Sequence, residues 1–117
     1  MRYAWDEEKN RGNIALHGVA FEDAMRIFEG PTLEKIDDRF DYGEIRVYAI
    51  GLVNGVEVTV VYTDRDNDER RIISAWRAEA HERRAYWQSV ASQARDRNKL
   101  EPTTPFERCR NTPGHRI

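Results

Sequence analysis

The sequence predicts an α+β domain with two N-terminal helices, a four-stranded mainly antiparallel sheet and a C-terminal helix. Three observations carry that expectation. Apolar residues recur at helical spacing before Gly30-Pro31 and at every second position from residue 32. An Asn54-Gly55 pair sits inside the two-residue period, where a tight hairpin needs the positive backbone angles those residues tolerate. Helical spacing returns at residue 79.

The elements follow in order. Asp6 can cap a first helix over residues 6–16, with Glu7 and Glu8 where the helix dipole favours negative charge and His17-Gly18 as its stop. Phe21, Ala24, Met25 and Phe28 stand at i, i+3, i+4 and i+7, which predicts a second helix with those residues in the core. Strands are expected near residues 32–37, 45–53, 56–63 and 70–77, with Asp64 to Glu69 as a polar turn. A closing helix over 79–93 would turn Ala80, Trp87, Val90, Ala91 and Ala94 inward. Trp5, Tyr86 and Trp87 are large enough to act as packing anchors. Residues 1–94 are expected as one domain. Residues 95–117 combine charge with Pro102, Pro105, Pro113 and Gly114 and are expected as a mobile charged tail.

Composition narrows the function classes. No run of about 18 apolar residues is present, so no membrane partner is expected and the chain reads as soluble and cytoplasmic, without an export signal. The single cysteine, Cys109, cannot close an internal disulfide. The net charge of −2 conceals an asymmetry: residues 1–44 hold 6 basic and 11 acidic side chains, residues 45–117 hold 13 and 10. Such a split suits a second half that meets phosphate and a first half that meets a basic partner, and it equally describes the solvated surface of an ordinary domain. His, Cys and carboxylate residues do not cluster at metal-ligand spacing, and neither a metal nor a cofactor is expected.

Register yields a candidate face. Pairing Val53 with Val56 sets Arg46 opposite Thr63, and pairing Thr63 with Arg70 then gives the rows Arg46, Thr63, Arg70; Tyr48, Val61, Ile72; Ile50, Thr59, Ser74; and Leu52, Glu57, Trp76. The opposite face, with Val47, Ala49, Gly51, Val58, Val60, Tyr62, Ile73 and Ala75, is the one the helices should cover, interrupted only near its ends by Arg71 and Arg77. The first face would stay open. Its arginines could grip phosphate, and Tyr48 and Trp76 could stack on unpaired bases, as single-stranded RNA requires. A bulge would exchange the two faces beyond it. Arg71 and Arg77, six residues apart on one strand, are about 20 Å from each other and cannot clamp the same phosphate.

Over residues 3–86 the sequence resembles a known family. Tyr3, Trp5, Asp6 and Lys9 are followed by Asn13, the run His17-Gly18-Val19, then Phe21, Glu22, Ala24 and Phe28. Later come Gly43-Glu44-x-Arg46, Ile50-Gly51, Val60-Val61-Tyr62-Thr63 with Arg65, Ile72-Ile73-Ser74-Ala75, Arg77-Ala78, Glu82-Arg83 and Tyr86. In this order and spacing they resemble the BrnT toxins of bacterial type II toxin-antitoxin systems. The resemblance implies a fold similar to the RelE-type ribonucleases. It implies metal-independent cleavage of RNA by attack of the ribose 2′-oxygen on the adjacent phosphate. As partner it implies a cognate antitoxin similar to BrnA, a ribbon-helix-helix DNA-binding protein, so that DNA would be met only through the antitoxin.

The resemblance points to Arg65 and Arg77 first, because fixed cations stabilise charge that develops on the phosphate in the transition state. Arg46 and Arg70 can join them or merely flank a turn. His17 can exchange a proton near neutral pH or simply complement a helix C-terminus. Lys9, Tyr48, Arg71, Trp76 and Arg83 complete the candidate RNA-binding set, while Glu82 is explained by the dipole of the closing helix. Two residues depart from the family pattern: Trp76 stands where the family usually has arginine, and Leu16 where a lysine commonly precedes the His-Gly pair. A catalytically weakened homologue acting as a binding or regulatory module is therefore the alternative. A stand-alone DNA-binding regulator fits poorly, since no helix-turn-helix with a basic recognition helix is evident. The nuclease reading expects the arginines to converge on one uncovered patch of the sheet, and arginines scattered over separate surfaces, or a patch sealed beneath a helix, would contradict it.

Overall fold

In a computed structural model, which describes residues 1–38, 41 and 43–100 (of 94–100 the backbone alone), Asp6 opens the first helix as its sequence position predicts. Its carboxylate accepts from the amides of Glu8 at 2.8 Å and Lys9 at 3.3 Å, and helix α1 runs Glu7–His17 to Gly18, whose φ of 73° closes it. The inward residues of α1 are two buried amides, Asn10 and Asn13. Asn10 accepts from the Phe21 amide at 2.9 Å and donates to Glu22 at 2.9 Å, which ties α1 to the next segment.

That segment is not one regular helix. A four-residue α2, Phe21–Ala24, tightens into a 3₁₀ helix over Met25–Glu29. At three residues per turn the buried line becomes Phe21, Ala24 and Ile27, in place of the expected stripe through Met25 and Phe28.

The sheet has five strands, β1 (Arg2–Ala4), β2 (Leu33–Ile36), β3 (Val47–Val53), β4 (Val56–Arg65) and β5 (Glu69–Arg77), in the order β1-β5-β4-β3-β2. The expected four strands are present, and β1 adds a parallel neighbour to β5. Three residues are too short to show a period. What holds β1 in place is non-local: the Arg2 amide donates to Asp68 O at 2.9 Å, and the N-terminal ammonium lies 2.9 Å from the Asp68 carboxylate. Its hydrogen bond and charge hold the Asp68 carboxyl below the ordinary carboxylate range.

The β3–β4 register is the expected one, Val53 opposite Val56 and Val47 opposite Tyr62, across a turn with Asn54 at φ 51° and Gly55 at φ 79°. The β4–β5 hairpin differs. Its strands run closer to the turn, pairing Arg65 with Glu69 and Asp64 with Arg70, and a bulge between Val61 and Tyr62 leaves Ile73 without an opposite residue. Beyond the bulge Val61 meets Ser74 and Thr59 meets Trp76, so Ser74 and Trp76 keep their expected face. On the turn side the faces exchange: Ile72 and Arg70 move to the helix side with Tyr62 and Asp64, and Arg71 moves to the other face with Thr63. Ile72, not Ile73, enters the core.

That core joins Val19, Phe21, Ala24 and Ile27 to Ala49, Val58, Val60, Tyr62, Ile72 and Ala75. Gly51 lets the 3₁₀ helix approach β3 closely, since a Cβ built there would lie 2.7 Å from Ile27 Cβ.

Helix α3 spans Ala80–Leu100, longer than the expected 79–93. Residues 94–100 are mostly good helix formers, and Pro102 follows. Ala80 and Trp87, expected inward, are exposed, Trp87 by 45%, and the buried anchor is Tyr86, whose hydroxyl donates to Pro31 O at 3.1 Å. The start of α3 covers part of the sheet face that was expected to stay open, as Glu82 bonds Thr59 and Trp76 there. Met1–Tyr86 form one compact unit, and α3 from Trp87 onward belongs to a second. Residues 95–100 of the expected tail are helical; 101–117, with Cys109, lie outside the described residues.

Candidate functional site

The expected single patch of arginines is not found: the candidate arginines divide between two ends of the sheet and part of the open face lies under α3, which counts against the nuclease reading in the form the sequence suggested. At the β4–β5 turn end, Arg46 Nε donates to Glu44 Oε2 at 3.0 Å, and an Arg65 terminal nitrogen lies 3.9 Å from the other oxygen of Glu44. Thr63, nearly fully buried, donates to Ile45 O at 2.7 Å and pairs with Arg71, so the row Arg46, Thr63, Arg70 is corrected to one ending in Arg71.

Arg70 belongs elsewhere. The bulge turns it onto the helix side, where its guanidinium donates twice to Asp64, at 2.7 and 3.0 Å, and stacks 4.0 Å from the Tyr62 ring centroid and 4.7 Å from that of Phe28. The hydrogen bonds to Asp64 hold the guanidinium charged above its ordinary range. Tyr62 in turn donates to Glu34 at 2.7 Å, and burial, reinforced by that bond, pushes its phenol well above the usual range. Arg70 is thus held on the helix side by Asp64, Tyr62 and Phe28, away from the face on which the sequence placed it.

The other end is a shallow open cleft lined by Leu16, His17, Trp76, Arg77 and Glu79. Two elements build it. The last turn of α1 brings Leu16 and His17 beside the end of β5, because Asn13, one turn earlier, is bonded into that strand: it donates to Ala75 O at 2.8 Å and accepts from Ala75 N at 3.2 Å. A side-chain amide there does what a neighbouring strand would do beyond the end of β1. Arg77 is exposed and, among the described residues, makes no ion pair. The His17 and Trp76 ring centroids are 6.1 Å apart, and Tyr48 meets Trp76 edge-on at 6.3 Å.

Glu82 holds two of the cleft's residues, Trp76 and Glu79. One of its oxygens accepts from the Glu79 amide at 2.7 Å, Thr59 Oγ1 at 3.1 Å and Trp76 Nε1 at 3.2 Å. A glutamate three residues past a helix cap is a legible capping signal, but its hold on Trp76 needs the β4–β5 register and could not be read locally. Asn13, too, was visible only as part of a motif. Arg83 donates to Ala78 O at 2.8 Å, next to Arg77 in sequence, while Lys9 is exposed two turns before His17.

The structure therefore brings His17, Trp76, Arg77 and Tyr48 into one neighbourhood and leaves Arg46, Arg65 and Arg71 in another. Arg71 lies near the start of β5 and Arg77 at its end, about 20 Å apart at the usual strand rise.

Comparison with known proteins gives two concordant results. A family model described as "Ribonuclease toxin, BrnT, of type II toxin-antitoxin system" matches residues 5–82. The 1.1 Å crystal structure of the Brucella abortus ribonuclease toxin BrnT aligns with a TM-score of 0.53 and 30% sequence identity, over 68% of this chain and 97% of that one. No curated protein sequence matches the chain.

Proposed function

This chain belongs to the BrnT family of ribonuclease toxins of type II toxin-antitoxin systems, and from that premise we propose that it is a cytoplasmic endoribonuclease working without a metal ion and silenced by its antitoxin. The observation that carries the reading is the cleft where Arg77 and His17, drawn from a strand end and a helix end, face one space.

The reaction is attack within the RNA. The ribose 2′-hydroxyl gives up its proton, its oxygen bonds to the adjacent phosphorus, and the bond from phosphorus to the 5′-oxygen breaks. That oxygen takes a proton, leaving a 2′,3′-cyclic phosphate and a 5′-hydroxyl. Imidazole is the side chain best suited to accept and return a proton near neutral pH, and His17 is the imidazole in the cleft. Arg77 stabilises the charge that grows on the phosphate oxygens. Arg46, Arg65 and Arg71 are too far away for the same linkage and serve the RNA strand elsewhere, with Lys9 and Arg83 as further backbone contacts. The partner is a ribbon-helix-helix antitoxin through which the pair reaches DNA.

Producing the chain alone in bacteria should arrest growth and degrade RNA, with Arg77→Ala relieving both. Unimpaired growth with intact RNA would overturn the proposal. A second reading, a homologue with little or no chemistry, is favoured by one observation: the cleft holds Leu16 and Trp76 where the family pattern has cations. Trp76→Arg separates the two. Ribonuclease activity that appears only in this variant would establish the second reading.

A further inference from the structure

We propose that the cleft at the end of β5 seats an unpaired nucleobase of single-stranded RNA on the face of Trp76, with the neighbouring phosphate on Arg77. The inference takes from the ribonuclease reading only that RNA is the ligand.

The state of the indole is the starting point. Its one hydrogen-bond donor is already engaged by Glu82 at 3.2 Å, so what the half-buried ring can offer a ligand is its π surface. The ring is also braced. Tyr48 meets it at an interplanar angle of 87° and His17 stands tilted at 47°, which leaves the indole little rotational freedom to lose on binding. A satisfied, immobilised aromatic beside a cleft is a stacking platform, and stacking tolerates any base.

The lining agrees. Leu16 is 77% exposed and borders the same cleft, so an apolar side chain and an aromatic ring line it together. Only one permanent cation, Arg77, stands among the cleft residues, together with one carboxylate, Glu79. A site that gripped phosphate alone would carry more positive charge and less hydrocarbon. A base with its single attached phosphate matches one ring, one leucine and one guanidinium.

The test uses the full chain and 2′-O-methyl oligoadenylate, which cannot be cleaved because its 2′-oxygen is blocked, alongside the same backbone carrying abasic positions. Equilibrium binding should be about 5- to 100-fold tighter for the base-bearing oligomer, the range expected when one base stacks on an aromatic ring. Trp76→Ala should abolish that difference, Trp76→Phe should retain most of it, and Arg77→Ala should weaken both oligomers alike. Equal binding of the two oligomers by the parent chain overturns the inference, as does a folded Trp76→Ala variant that still distinguishes them. If Trp76→Ala does not fold, the parent's abasic comparison and Trp76→Phe decide. Base discrimination by a chain that leaves RNA intact would sink the ribonuclease reading and uphold this one; cleavage without discrimination would do the reverse.

Discussion

Asn13 stands where β5 would otherwise present bare backbone beyond the end of β1. Its amide satisfies Ala75 on both its N–H and its C=O, and also donates to Val19 O at 2.9 Å. Asn13→Ala should strand these buried groups and lower stability by about 3 kcal/mol, read as a fall in the denaturant midpoint. Tyr62 gives a prediction in pH. Burial and the bond to Glu34 raise its phenol, so the folded state keeps a proton that the unfolded chain releases above about pH 10. The stability it contributes is full below that pH and is lost as pH rises toward the folded-state value. The midpoint of the parent should drop more between about pH 9 and about pH 11 than that of Tyr62→Phe. At this scale the sequence was partly legible. Arg77 and His17 could be named as candidates by type and motif, but Arg70 was expected on the wrong face, because its capture by Asp64, Phe28 and Tyr62 depends on one extra residue in a strand.

That residue, Ile73, shows the limit at the scale of elements. Period and turn chemistry recover four strands and the β3–β4 register, since Asn54 and Gly55 fix their own turn. The polar run from Asp64 to Glu69 fixes none, and a three-residue turn with a bulge behind it satisfies the same pattern as the wider turn expected. The short parallel β1 depends on Asp68 and the N-terminus, 67 positions apart, which no local window contains. Packing of the 3₁₀ helix on β3 should be sensitive at Gly51. A methyl group there meets Ile27, and Gly51→Ala should destabilise by about 1–3 kcal/mol, measured by thermal unfolding. Glu82 couples the start of α3 to the sheet and the cleft. Glu82→Ala should therefore lower both the unfolding midpoint and the affinity for base-bearing oligomers, while Glu82→Gln, which keeps an acceptor, should lower each less.

Across the unit Met1–Tyr86 the family was legible from scattered residues, whereas the separation of the arginines was not, because side-chain destinations follow from strand ends and a bulge. The cations divide between a glutamate-bridged group near the β4–β5 turn and the cleft beside α1. On the proposed reading the chemistry belongs to the cleft, and Arg77→Ala should cut the cleavage rate by about 100- to 1,000-fold with an unchanged unfolding midpoint, the loss usual for one transition-state donor. Arg65→Ala should cost less and act on RNA affinity. The most direct measurement is the chemistry of the fragment ends when the purified chain is incubated with single-stranded RNA in excess chelator. The account predicts fragments ending in 2′,3′-cyclic phosphate and beginning in 5′-hydroxyl. Intact RNA, or fragments with 3′-hydroxyl and 5′-phosphate ends, would contradict it.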